Sequence, residues 1–524
     1  MSLALSSARL SRRRRRFSTP TVESLETRQL LTGAVAPASA FDLHAQYLRL
    51  IQLNGGATPH HTIPHATAVH AAASHPTATH RTPTHGVTAA VTARHRTFGK
   101  PALPSARQLT DIVTYDRPSS ISPNAGGRGT GTGALAVDTP VIGAHTPAQI
   151  RTAYGVTPLG PGNQGQGTTI AIVELSDDPN ITRDANAFSA QYNLPQFNGP
   201  AGSPTLTVYQ DTTFAPVTSA AGTGVARETS LDVEWAHAMA PKANILLVEV
   251  PFFGTTYADI FGDLLHGVQY AASQPGVVAV SLSYGTDERN IGTDALAAQD
   301  AAYLATGPAA NVAVTISSGD GSSPLYPATS PNVIAVGGTS LLLGSVRGKY
   351  SLESAWGGLA GLGAGGGGPS LFYDAPSYQT SNGVTYPSRA VPDVALIADP
   401  VTGVSFYDSL DVTASDPSPW LAAGGTSLAA PVFAGMIALA QQNRLAAGLP
   451  LLNSNQINNE IYAVYNSPSY STYFHDITLG SNTNVDGKTG QITVDGYAAT
   501  TGYDLATGVG SPIGNTFVPL LSSL

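Results

Sequence analysis

The sequence predicts an α/β fold in three layers: a mainly parallel β-sheet with helices packed on both faces. Three features of the 524-residue chain carry the prediction. From about residue 143, segments of strand length alternate with segments of helix length, the order of a parallel sheet crossed by helices. Within that region Thr168 to Leu175 (TTIAIVEL) is a continuous apolar run, as strands buried on both faces are. The first 142 residues lack this alternation, so the fold is expected to begin after them.

Taken in order, strands are expected at 168–175, 205–209, 243–250, 277–283, 311–317 and 333–336, and helices at 185–192, 228–239, 257–273 and 294–306. The glycine run Gly357 to Gly368 is a loop, either the lining of a cleft or a flexible insertion. Ala429 to Ala440 is a run of small apolar residues that reads as a buried helix. Pro431 fits the first turn of that helix, where its missing N–H costs nothing. In folds of this kind, catalytic groups gather just past the C-terminal ends of the strands.

Composition sets outer limits. The length suits two to four ordinary domains, or one large domain with appendages. Apolar residues make up 42% of the chain, enough for a sizeable core, while charged residues make up only 11%, against ~25% in ordinary globular proteins. A surface poor in ion pairs loses little when carboxylates protonate, so it is compatible with acidic surroundings. The net charge is −9, with basic residues concentrated at Arg12 to Arg16, and nothing in the body suggests a nucleic-acid patch. The absence of cysteine excludes disulfides, thiolate metal sites and thiol catalysis. No apolar run reaches the ~18 residues of a membrane span.

Residues 1–40 are expected to be an export leader. The arginines are not followed by the apolar core of an ordinary secretory signal. Instead Leu25-Glu26-Thr27-Arg28-Gln29-Leu30-Leu31 resembles a short leader found on some large exported bacterial proteins, and Ala38-Ser39-Ala40 suits a signal peptidase. A disordered basic tail is the alternative. Residues 41–142 are a low-complexity linker rich in His, Thr, Ala and Pro, with a short helix at 41–53. His60, His65, His70, His75, His80 and His85 recur every five residues, a period that fits neither a helical nor a strand face. The composition is that of a solvated linker, with loose metal binding or pH sensing as the alternative.

Four side chains of the body stand out. Glu228 and Asp232 lie four apart on an expected helix (RETSLDVEWAHAMAP), so both project from one face, and two like charges so close raise one pKa. Leu231, Val233 and Trp235 beside them make a purely solvent-facing surface less comfortable. Asp320, in Ser317-Ser318-Gly319-Asp320-Gly321, follows directly on a buried strand. Ser427, in Gly424-Gly425-Thr426-Ser427, stands at the start of the small-residue helix, where backbone N–H groups favour developing negative charge. Read alone, each has a plainer explanation: a helix face, a turn aspartate, an N-cap. Ser427 also has a rival, Ser340, in a second GGTSL at Gly337 to Leu341. That copy runs on as strand or turn rather than as a helix, which favours Ser427.

Together, Glu228-x-x-x-Asp232, the SSGD at Asp320 and the GGTS at Ser427 resemble the sedolisins, serine-carboxyl peptidases of the subtilisin-like fold. The resemblance covers about 143–524. The GTS-x-A-x-P segment is shared with subtilisins, but the Asp-Thr-Gly and His-Gly-Thr segments of a subtilisin are missing. The resemblance implies Ser427 as nucleophile, Glu228 as its general base, Asp232 orienting Glu228 and sharing its proton, and Asp320 donating to the oxyanion. A carboxylate base works at lower pH than an imidazole, and Asp320 must be protonated to donate, so an acidic optimum is expected. Glu174 matches a carboxylate that extends the proton network in some members, and Tyr284 stands where an aromatic residue lines the site.

The C-terminal part holds a second set. Asp476 and Asp504, with nearby carbonyls and glycine turns, suit a hard cation. The resemblance implies one structural calcium ion held by the side chains of Asp476 and Asp504 and the backbone oxygens of Ile477, Thr500 and Gly502. Two departures stand against the family pattern: a linker occupies the place of the usual folded pro-domain, and Gly424 stands where many members have serine. The resulting expectation is a secreted or cell-surface bacterial peptidase acting on polypeptides as a monomer, with the linker trimmed near Gly143. The alternatives are an exported, non-catalytic binding module on the same fold and a metal-sequestering protein using the histidine tract.

Overall fold

The computed structural model describes residues 140–141, 143–344, 348–413 and 417–524, and a two-residue strand β1 (Val113–Thr114). All fall in one compact unit, Ile51–Leu524. The expected leader at 1–40, and nearly all of the linker at 41–142 with its helix and histidine repeat, lie outside the described residues.

The chain enters through helix α1 (Pro147–Ala153), capped by Thr146, whose hydroxyl accepts from Gln149 N–H. There follow β2 (Thr169–Leu175), α2 (Ile181–Tyr192), β3 (Leu206–Gln210), α3 (Val225–Met239), β4 (Asn244–Val250), α4 (Tyr257–Ser273) and β5 (Val277–Leu282). Next come the short helices α5 (Glu288–Ile291) and α6 (Thr293–Gln299), then β6 (Ala313–Ser317), β7 (Ile334–Leu343), β8 (Tyr350–Ala355), β9 (Gly368–Asp374), β10 (Ser388–Val391), β11 (Val394–Ile397), β12 (Val404–Tyr407) and β13 (Trp420–Gly424). The chain closes with α7 (Thr426–Ala446), α8 (Ser454–Tyr465), β14 (Phe474–His475), β15 (Asn484–Val485), β16 (Ile492–Val494), β17 (Ser511–Pro512) and α9 (Gly514–Ser523).

The central sheet runs β11-β7-β6-β5-β2-β4-β3, every neighbouring pair parallel, with β8 antiparallel on β7. β2 shows why the run at 168–175 is apolar throughout. Ile170 and Ile172 face one core layer with α3 and α7, while Ala171, Val173 and Leu175 face the other with α4. The period of two sends alternate residues to opposite faces, and both faces are covered. This is the three-layer, mainly parallel architecture expected from the sequence. β12 and β13 form a smaller antiparallel sheet, and β1 adds to the free edge of β13.

Several local expectations change. The helix expected at 294–306 is present, running as α6 from Thr293 and widening over Asp300–Leu304; Gly292 (φ +87°) separates it from α5, which the pattern did not predict. There Asp300 turns inward, its carboxylate accepting from Asn332 Nδ2 at 2.7 Å and from Ser330 Oγ. The strand expected at 333–336 extends to Leu343 and absorbs the second GGTSL. Ser340 sits in it with its Oγ donating to Asp399 Oδ2 at 2.6 Å. α7 begins at Thr426, so Pro431 is its sixth residue and not part of its first turn. A proline there removes the N–H that would bond to the carbonyl four residues back, which is that of Ser427.

Candidate active site

The strand order reverses at β2. From it the chain builds β4 and β3 on one side and β5, β6, β7 and β11 on the other. Such a crevice at the C-terminal strand ends is where ligands bind in open α/β sheets. Here the ends of β2, β5 and β6 present Glu174, then Ser283 and Tyr284, then Asp320. The strand period turns Glu174 to the same side as Ile170 and Ile172, toward α3 and α7. Those two helices bring Glu228, Asp232 and Ser427.

α3 is not a surface helix. Every residue from Glu228 to Met239 is buried, so the plainer reading of Glu228 and Asp232 as a solvated face fails. Ser427 is the second residue of α7, behind Gly425 at φ +110°. α7 is buried on all sides from Thr426 to Gln441, as an all-apolar helix must be. The glycine at 424 has its own reason: a Cβ there would run into the carbonyl oxygen of Ala398 and crowd Pro400 N at 2.5 Å.

Asp320 is held against the first turn of α7. Its Oδ1 accepts from Thr426 N at 2.8 Å and from Thr426 Oγ1 at 2.9 Å, and Thr426 Oγ1 in turn accepts from Gly319 N at 3.0 Å. With Oδ1 engaged as an acceptor, Oδ2 is the oxygen placed to carry a proton. The glycine run is packed rather than flexible. Ala364 N donates to Asp320 O at 3.1 Å, Gly366 N to Gly319 O at 2.5 Å and Gly367 N to Ser322 O at 2.8 Å. A Cβ at Gly366 or Gly367 would strike the carbonyl of Ser318 or Leu505. Of the two readings the sequence left open, the run lines the site.

On the other side of Ser427 lies a chain of buried acids and hydroxyls. Ser283 Oγ is 2.6 Å from Asp232 Oδ2 and 3.4 Å from Ser427 O, the carbonyl that Pro431 leaves without a helical partner. One hydroxyl donates once. When Asp232 holds a proton it can donate to Ser283 Oγ, freeing the Ser283 hydroxyl for Ser427 O. Tyr284 OH donates to Glu174 Oε2 at 2.7 Å. Burial, reinforced by the charge of neighbouring Asp232, holds the Glu174 carboxyl well above its ordinary range. Burial also raises the Tyr284 phenol, with Glu174 and then Glu228 adding to the effect. Glu228 therefore lies in the same field.

The fold thus brings Glu228, Asp232, Asp320 and Ser427 to one crevice, with Glu174 and Tyr284 beside them. Sequence reading missed Ser283 and Thr426, which tie the acids to α7. The only signals were their places, directly after a buried strand and directly before the serine.

The C-terminal set lies apart. Asp476, after β14, accepts from Gly502 N at 3.0 and 3.1 Å. Asp504 Oδ2 accepts from Thr500 N at 2.9 Å, and its Oδ1 accepts from Ala506 N and Thr507 N at 2.9 and 2.8 Å. Two carboxylates therefore bracket the 500–504 loop. Burial pushes Asp504 up to about 6. Among the described residues no group of three or more His, Cys, Asp or Glu side chains is arranged to hold a metal. Any ion here would depend on backbone carbonyls. The all-oxygen donor set fits calcium and not a softer metal.

Comparisons with known proteins agree with this architecture. A family model described as "Subtilase family" matches residues 217–462. Kumamolisin from Bacillus sp. (strain MN-32) is 31% identical over 398 residues, covering 71% of this chain and 62% of that protein. Sedolisin from Pseudomonas sp. (strain 101) is 33% identical over 268 residues, 47% of this chain and 41% of that one. The solved structure of Pseudomonas sedolisin, a serine-carboxyl proteinase complexed with two molecules of pseudo-iodotyrostatin, superposes with a TM-score of 0.58 at 26% identity, covering 72% of this chain and 98% of that one. The fold is therefore subtilisin-like. Within it, the sequence is similar to kumamolisin and sedolisin, the latter a serine-carboxyl proteinase. It spans less than two thirds of the length of these two curated relatives.

Proposed function

We propose that the chain is a secreted serine-type endopeptidase that hydrolyses polypeptides in acid. The observation that supports this most directly is the pairing at the head of α7: Ser427 on its first turn, with the Asp320 carboxyl fixed against that same turn through Thr426. Glu228 takes the Ser427 hydroxyl proton as Oγ bonds to the scissile carbonyl carbon. The carbonyl oxygen becomes an oxyanion and receives a hydrogen bond from the proton on Asp320. Collapse breaks the peptide bond. The amine leaves with the proton from Glu228, and an acyl group stays on Ser427. Water then repeats the sequence and releases the acid. Asp232 orients Glu228 and shares its proton, and Ser283 and Glu174 keep Asp232 partnered.

In this reading Asp476 and Asp504, with the carbonyl oxygens of Ile477, Thr500 and Gly502, hold one calcium ion, which when bound ties the 500–504 loop to the segment after β14. Residues 1–40 direct export, residues 41–142 are a linker removed near Gly143, and the protein acts as a monomer. No helix among the described residues is long and apolar enough to cross a membrane.

The test is digestion of casein by the wild type and by Ser427→Ala across pH 3 to 8. The expected result is activity that peaks below pH 6 and vanishes in the variant. Equal activity in both, or an optimum at pH 8, overturns the mechanism. No activity in either leaves the family fold serving as a binding module.

A further inference from the structure

Glu174 has a neighbour that the chemistry above does not use. In the parallel register of β2 and β4, Glu174 lies directly beside Glu249, one strand spacing of ~4.8 Å away. Neighbours in register point to the same face, so both carboxyls enter the layer that holds α3 and α7. Both side chains are fully buried.

The backbone around Glu249 fixes it there. Directly after β2, Ser176 takes the left-handed region at φ +64°, a conformation that costs a residue other than glycine. Ser176 N donates to Val250 O at 2.8 Å. The turn then delivers Asp178 N to Glu249 Oε1 at 3.0 Å. From β3, Gln210 Nε2 donates to Glu249 Oε2 at 3.2 Å and to Asp177 Oδ1 at 3.0 Å.

One amide thus bridges two carboxyls, and Glu249 and Asp177 share a hydrogen bond besides. Two carboxyls bond to each other only through a proton, so this outer pair, while bonded, holds one proton and one negative charge. Gln210 is exposed and Asp177 half-buried, which puts the pair in touch with solvent. Inward, Glu174 shares a hydrogen bond with Asp232, again through one proton. Burial, with Asp177 adding to it, pushes Glu249 up to about 7. After burial and Asp232, Glu249 is a further charge that holds the Glu174 carboxyl up.

Other charges enter the same layer. Asp178, Asp184 on α2 and Asp408 after β12 lie beyond Glu249, and Glu228 and Glu234 come from α3. The cations of these elements are engaged by other acids: Arg227 Nε is 3.7 Å from Asp408, and Arg183 Nε is 3.2 Å from Asp184. Asp211, the residue after Gln210, turns instead to His266 on α4 at 2.7 Å.

We propose that Glu249 is a positioning residue for the catalytic acids: with Asp177 it forms an outer carboxyl pair whose charge, behind Glu174, keeps the proton that Glu174 and Asp232 share, and so sets the alkaline edge of activity. Like charges this close hinder each other's ionisation. The outer pair has N–H donors and solvent to stabilise its charge, so the proton lost first is its own and the inner proton stays. The proposal rests on the peptidase reading for its kinetic consequence, but not for the coupling between the pairs.

Two measurements test it on the full chain, with thermal melts confirming that the variants fold. In the pH profile of kcat, Glu249→Gln should draw the alkaline limb down by about one pH unit. Gln210→Ala, a change at an exposed site, should draw it down less, by removing a donor that favours the charged pair. An unmoved alkaline limb, or a kcat lowered evenly at every pH, overturns the proposal. In the second measurement, Ser427→Ala protein carries glutamate labelled with carbon-13 at the side-chain carboxyl, and Glu174→Gln identifies the Glu174 resonance by its loss. That resonance should titrate about one pH unit lower when Glu249→Gln is added; an unmoved titration overturns the proposal. A wild type that cuts nothing, with the Glu174 titration still moved by Glu249→Gln, sinks the peptidase reading and keeps the coupling.

Discussion

Ser283 bridges two parts of the site. Its hydroxyl lies between Asp232 Oδ2 and the Ser427 carbonyl, so its loss removes one partner from each. Each such loss costs about 1–3 kcal/mol. Ser283→Ala is expected to lower kcat by about tenfold or more with little change in KM, and to lower the melting temperature; unchanged kcat would show the bridge to be idle. The sequence pointed to Glu228, Asp232, Asp320 and Ser427 because their types and spacings form motifs. Ser283 was not legible, since its role exists only where the end of β5 meets the carbonyl that Pro431 orphans in α7. That meeting is non-local.

At the scale of elements, the long apolar runs were legible, because burial on two faces leaves few polar residues to interrupt them. Segments ruled by a single backbone angle or a close approach were not. Gly292 divides α6 from α5, a short helix the pattern did not show, and the glycine run is packed where composition alone allowed a floppy insertion. Gly424 belongs to the same class. It lies in β13 against Ala398 and Pro400, with no space for a Cβ. Gly424→Ser is expected to destabilise the fold by about 1–3 kcal/mol, the range for overpacking. Urea unfolding measures it; a stability equal to wild type would mean that the 398–400 segment yields.

At the scale of the whole molecule, one buried cluster of acids makes the fold lose stability as pH rises, while buried His237 and His475, both lowered to about 4 by burial, act the opposite way below ~6.5. Around the ends of β2 and β4, α2, α3 and the segment after β12 converge with Asp178, Asp184, Glu234, Glu249 and Asp408. Arg227 is the cation among them, its Nε 3.7 Å from Asp408 Oδ2, and Asp177, Asp411 and the exposed Arg183 stand at the margin. Burial pushes Asp178 up to about 8, Glu249 to about 7 and Asp408 to about 6, and raises Glu234 as well. A carboxyl whose folded pKa is raised favours the folded state only while protonated. The cost is absent below the unfolded value near ~4 and grows as pH climbs through ~6–8, reaching a few kcal/mol in sum. Calorimetry should find the melting temperature falling from pH 6 toward pH 8, with Glu234→Gln flattening the fall; no fall over that range would contradict it. Chelation by EGTA is a separate check on Asp476 and Asp504: removing a native-state ligand should lower the melting temperature, and calcium but not magnesium should restore it. None of the acid cluster was visible in the sequence, since its members are spread from 178 to 408.

The short strand β1 gives the molecule one more property. Val113 pairs with Gly424 and Thr114 with Ala423, antiparallel, three to four residues before Ser427. A chain lying there is gripped through its amides and carbonyls alone, and main-chain bonding of that kind is blind to side-chain identity. The edge of β13 can pair with an extended strand of almost any sequence, provided no proline falls where an N–H must be given. In the peptidase reading, grip and choice would then be separated: the sheet edge would hold the main chain, and selection would fall to what the guest presents elsewhere.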